Sequence, residues 1–111
     1  TITGNGIPTS VEANGNGATT IGAGIAVAQH GTKLPTELTV TDGVINGYTA
    51  LHQSNPQKND AEAIAKVKLS ISGGTFNTIN GGSNAVYSEN CTGFITGGVF
   101  STAVDAAYMA N

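Results

Sequence analysis

The chain has 111 residues, of which 10% are charged and 16 are glycine, and it carries a net charge of −3. Gly, Thr, Asn and Ser together fill 49 of the 111 positions, and arginine is absent. Long helices and coiled coils, which need Ala, Leu, Glu, Lys and Arg, are excluded, and four scattered lysines are too few to neutralise phosphates, so no nucleic-acid partner is expected.

The length bounds the chain to one domain or part of one. Low net charge and frequent Ile, Val and Phe argue against disorder. No apolar run approaches the roughly 18 residues that cross a bilayer, so no membrane insertion is expected. Thr1-Ile-Thr-Gly-Asn5 has neither a basic region nor an apolar stretch, and no Met opens the chain. The expectation is an internal or processed piece of a longer protein.

From the N-terminus, Ile2-Thr-Gly-Asn-Gly-Ile7 opens as a weak copy of a first motif, with Ile2 aligned to the later Val40. The Gly/Asn-rich stretch 12–17 follows as a loop. Ala26-Val-Ala-Gln then begins a second motif. Next come Leu38-Thr-Val-Thr-Asp-Gly-Val-Ile-Asn-Gly47 (first motif) and Ala50-Leu-His-Gln (second motif). An insertion at 55–66 separates these from Leu69-Ser-Ile-Ser-Gly-Gly-Thr-Phe-Asn-Thr78 and Ala85-Val-Tyr-Ser. Gly93-Phe-Ile-Thr-Gly-Gly-Val-Phe-Ser-Thr102 and Ala107-Tyr-Met-Ala complete the alternation. Ala26 to Ala50 and Ile71 to Ile95 are 24 positions apart, and Ala85 to Ala107 is 22.

Each run is short, rich in Ile, Val, Thr and Phe, and bounded by Gly, Asn or Asp, which reads as a strand between turns. One such period cannot bury its own apolar face, so neighbours must stack. Leucine-rich repeats share the period, but their leucine columns are missing: the chain has only Leu34, Leu38, Leu51 and Leu69. The pattern predicts an all-β parallel β-helix, a solenoid fragment of about three to four coils, whose strands pair in parallel at about 4.8 Å per coil. Residues 1–111 form a single segment, with 1–37 an irregular first coil and 38–111 the regular repeats carrying the longer insertion loop.

The columns assign faces. Val40/Ile71/Ile95 and Ile45/Phe76/Phe100 point inward, separated by the turn glycines Gly43, Gly74 and Gly98, where the backbone must bend or take φ > 0. Asn46 and Asn77, with Ser101 continuing, form a polar ladder. In the second motif Val27, Leu51, Val86 and Tyr108 point inward, and alternation puts Ala28, His52, Tyr87 and Met109 outside.

Ile71-Ser-Gly-Gly-Thr-Phe76 and Ile95-Thr-Gly-Gly-Val-Phe100, each followed by an Ala-Val-Tyr or Ala-Tyr-Met-Ala segment, resemble the "GGTF" β-helix repeats of large surface proteins of gut bacteria. Similar repeats occur in the tail-spike and head-fibre proteins of phages. The resemblance covers residues 38–111 well and 1–37 poorly. It implies a right-handed helix displayed outside a cell or on a virion, and it carries over no catalytic residues.

Chemistry is sparse. Glycosidase action needs two carboxylates at about 5–9.5 Å, yet Glu12, Glu37, Asp42, Asp60, Glu62, Glu89 and Asp105 never share one column of adjacent coils. Asp42 reads as a turn residue, and the absent Arg removes the usual partner for an acidic sugar. His30 and His52 fall at different offsets without ligand-spaced partners, so no metal and no cofactor are expected. The stretch 15–22 lacks the Lys-Ser/Thr of a phosphate loop. Cys91, alone, reads as a small buried or half-buried residue, with an intermolecular bridge or reactive thiol the minor reading. Asn90-Cys91-Thr92 fits a glycosylation acceptor only in a secretory setting.

The outer stripe His52, Tyr87, Met109 is the one candidate for a ligand or an interface, through aromatic stacking on a sugar ring or a subunit. The functional expectation is a non-enzymatic structural and binding module, of adhesin, phage-fibre, decoration or tail-spike type, contacting host glycans or proteins. The alternative is a fragment of a carbohydrate-active β-helix enzyme, a polysaccharide lyase or hydrolase, whose active site lies elsewhere. Open strand edges on both end coils further predict that the segment either self-associates, a homotrimer being one form, or relies on capping residues outside it.

Overall fold

The computed structural model describes residues 1–8 and 22–110. Its strands are β1 (Ile2–Thr3), β2 (Ile25–Ala28), β3 (Thr36–Val40), β4 (Val44–Gly47), β5 (Leu51–Ser54), β6 (Val67–Ile71), β7 (Thr75–Thr78), β8 (Val86–Ser88) and β9 (Val99–Phe100). One turn of helix, α1 (Ala61–Ile64), and a 3₁₀ turn at Ala106–Tyr108 complete the elements. The strands form three sheets ordered β1-β4-β7-β9, β2-β5-β8 and β3-β6, and every pairing is parallel. The chain is all-β with parallel sheets, and among the described strands none pairs with the strand next to it in sequence.

Alternation explains the faces. In β6, Val67, Leu69 and Ile71 are buried while Lys68 and Ser70 are exposed. Val40 pairs with Ile71, and Ile71 bridges to Ile95. Ile45 pairs with Phe76, and Phe76 with Phe100, their rings stacked at 5.1 Å. Both inward columns are as the repeat requires. They meet in a core containing Leu51, Leu69, Val86 and Phe94.

The turn glycines have two separate causes. Gly43, Gly74 and Gly98 sit at φ +104°, +97° and +114°, a region that side chains disfavour. Gly73 and Gly97 precede them for a packing reason: a Cβ would run into the carbonyl oxygen of Thr41 or of Ser72, respectively. Asp42, exposed at the equivalent place, accepts the Gly43 N–H at 2.8 Å. That is the expected turn role.

Four expectations are corrected. Ile2 lies beside Ile45, not in the Val40 column, with Thr3 opposite Asn46; the Gly4 N–H donates to the Asn46 carbonyl and fixes that register. Ile25, not Val27, pairs with Leu51, which makes Ala26 rather than Ala28 the neighbour of His52. The better apolar match, Ile25 on Leu51 on Val86, sets this pairing. Ser101 does not continue the asparagine ladder: its Oγ accepts the Thr78 N–H at 2.9 Å. The ladder runs instead from Asn77 Nδ2 to Asn46 Oδ1 (3.0 Å) and from Asn46 Nδ2 to Thr3 Oγ1 (3.3 Å).

The fourth correction concerns the last motif. Asp105 caps the 3₁₀ turn, and the turned chain lays Met109 against Ile95 in the third sheet's register. Met109 is therefore not on the His52–Tyr87 stripe. Backbone and hydroxyl groups of this segment also occupy strand edges that the sequence leaves open.

The insertion is ordered around its own side chains. Asn55 Oδ1 accepts the Asn59 N–H and Asn55 Nδ2 donates to the Asn59 carbonyl, both at 3.0 Å. Asp60 caps α1 by accepting the Ala63 N–H at 2.9 Å. Asn59 Nδ2 then donates to Gln29 Oε1 at 3.0 Å, tying the insertion to a buried glutamine. The loop at 12–17 and most of the stretch 15–22 lie outside the described residues.

Candidate functional site

The second sheet carries the outward pair. In β5, Leu51 and Gln53 point into the core, which turns His52 outward; in β8, Val86 and Ser88 do the same for Tyr87. The parallel register sets His52 directly beside Tyr87. Their rings stack with centroids 5.0 Å apart and planes inclined by 29°, a favourable offset arrangement. On the other side of His52 stands Ala26, which contributes only a methyl group. Tyr87 keeps 38% of its surface exposed.

His52 is the half-buried member. Its Nδ1 is buried without a hydrogen-bond partner. An N–H there would be an unmet donor, the costlier group to leave unpaired, which favours the proton on Nε2. Burial holds the imidazole pKa below its ordinary value, and the nearby Glu89 carboxylate partly counters this. The Tyr87 phenol is pushed up by desolvation first, then by Glu89 and Tyr108. Glu89 is itself fixed, its Oε1 accepting the Asn55 N–H at 3.0 Å. The surface thus combines a flat aromatic, one imidazole N–H donor and one carboxylate.

Beneath the stripe lies a polar network that the sequence reading missed. Gln53 is fully buried, and its Oε1 accepts from Ser88 Oγ (2.7 Å) and the Asn90 N–H (2.9 Å). Gln53 Nε2 donates to Asn90 Oδ1 at 2.8 Å. The available signal was parity: Gln53 and Ser88 follow Leu51 and Val86 by two residues, so they share the inward face.

The remaining candidates stay apart. His30 is exposed, and its Nδ1 accepts the Thr32 N–H at 3.2 Å. Among the described residues, no three His, Cys, Asp or Glu gather to hold a metal ion. No helix there is long and apolar enough to cross a membrane. Cys91 is half-buried, burial raises its thiol pKa, and its Sγ lies 3.6 Å from the Val67 carbonyl. Lys33 pairs with Asp60 at 3.6 Å on the surface. Glu12 lies outside the described residues.

Comparison with protein-family models, with curated proteins and with solved structures finds no match to this chain.

Proposed function

We propose that this chain is a short stretch of right-handed parallel β-helix serving as a non-enzymatic structural and binding module of a surface-displayed protein, of the adhesin or phage-fibre kind. The observation that carries the architectural half is the order of travel. The chain visits the third, first and second sheets as β3, β4, β5, then the same three again as β6, β7, β8, each strand parallel to its counterpart. Rotation of that kind is how a solenoid winds.

The binding half rests on the His52–Tyr87 pair. Rigid aromatic surface with a donor and an acceptor at its rim suits a sugar ring, whose C–H face stacks while its hydroxyls bond. Glu89 beside the pair, and a net charge of −3, favour a neutral glycan over an acidic one. A glycan array probed with the folded chain tests this, alongside a His52→Ala/Tyr87→Ala double variant. Binding to neutral glycans that the variant loses supports the reading. Absence of binding by the well-folded wild type removes the glycan role and leaves a scaffold.

A further inference from the structure

Ser88 ends β8, the last strand of the second sheet, yet its backbone groups are not left open. The Glu89 N–H bonds back to Gln53 on β5. Alternation therefore turns the Ser88 N–H and C=O to the opposite side, where another strand would lie. One hydroxyl takes both. The Ser88 N–H donates to the Tyr108 hydroxyl, and that hydroxyl donates to the Ser88 carbonyl, each at 3.0 Å and buried.

The same replacement of backbone by side chain recurs along this end of the molecule. The Ala85 N–H donates to Thr102 Oγ1 at 2.7 Å, and the Thr78 N–H to Ser101 Oγ. In the third sheet the segment uses its own backbone, with the Ile95 N–H donating to the Tyr108 carbonyl and the Ala110 N–H to the Ile95 carbonyl. Tyr108 is held in place by the Asp105-capped turn and by its ring, 5.4 Å from that of Phe94.

We propose that residues 101–110 are a plug over a strand-accepting edge: docked, they close β8 against an extended strand from a second copy of this chain, and undocked, they let β8 take it. A second copy is the fitting occupant because, among the described strands, β2 ends this sheet on its other side with only one edge used on β5, so the β2 of a second copy would extend the order β2-β5-β8 in parallel. Hydroxyls serve here as strand mimics. They satisfy single backbone groups but offer no continuing ladder on their far side, which is how an edge is made unreceptive.

Tyr108→Phe tests the plug, because it deletes the hydroxyl and keeps the ring. Amide hydrogen exchange at low protein concentration should show Ser88 losing protection by at least about tenfold, while Leu51 keeps its own. Light scattering over rising concentration should show more association than in the wild type. Unchanged Ser88 protection, or association no greater than wild type, overturns the proposal. Should the substitution unfold the whole chain, Leu51 loses protection as well. Thr102→Val then carries the test, since it strips the acceptor of Ala85 alone and must also raise association.

Discussion

Ser88 Oγ donates to Gln53 Oε1 at 2.7 Å inside the core, across 35 positions of sequence. Val27 occupies the same column on β2, so a polar pair stands where the preceding strand has an aliphatic residue. Gln53→Leu would strand the Ser88 hydroxyl and the Asn90 N–H without their acceptor, at a cost of about 2–4 kcal/mol. Ser88→Ala alone should cost about 1 kcal/mol. Combining the two should recover about 1 kcal/mol relative to additivity, read from urea unfolding of the four proteins.

The paired glycines should respond differently to alanine. Gly74→Ala places a side chain at φ +97° and should cost about 1–3 kcal/mol. Gly73→Ala drives a Cβ into the Thr41 carbonyl oxygen, a backbone obstacle that cannot turn aside. It should cost about 3 kcal/mol or more. Thermal melts that rank Gly74→Ala as the worse would refute the division of labour between the two positions.

Acid should weaken the fold through His52. Its pKa is lowered on folding from the ordinary 6.5, so the native state binds fewer protons than the unfolded one in the interval below 6.5. The stabilisation is complete above that value and is lost as pH falls toward the folded pKa. Melting temperature should therefore drop between neutral and mildly acidic pH. His52→Phe, which keeps a ring beside Tyr87, should lack that part of the drop.

Asn59→Ala should free the insertion. It removes the donor to buried Gln29 Oε1 and a second bond to the His30 carbonyl. A loss of about 1–2 kcal/mol is expected, with proteolytic cleavage within residues 55–66 appearing before global unfolding.

What the sequence made legible was parity and what it hid was register. Val40, Ile71 and Ile95 share a residue type, a neighbouring Thr or Ser and a following glycine, so three signals agreed on one alignment. The second motif offered little more than an alanine and an alternation. Sliding it by two residues preserves every inward and outward face, so Ala28 and Ala26 were equally good neighbours for His52 until Ile25 met Leu51. Met109 was misplaced for another reason. Ala107-Tyr-Met-Ala shares the motif's leading alanine and its spacing, yet Asp105 starts a turn there, and a tyrosine hydroxyl can finish a sheet without any strand. The His52–Tyr87 pair was legible because it lies on neighbouring strands where alternation and register agree.

Strand pairing only between distant segments governs how fast the chain can find this fold. Among the described strands Ile2 meets Ile45 across 43 positions and Thr75 meets Val99 across 24; only the isolated Ile95–Met109 bridge joins closer residues. Among the described strands no hairpin can form early and template the rest, so each of their first contacts must close a long loop before any ladder rewards it. Refolding should accordingly run on the slow timescale of non-local β proteins, about milliseconds to seconds. The half-collapsed chain meanwhile has bare strands, so crowding during refolding governs the yield of native molecules more than final stability does.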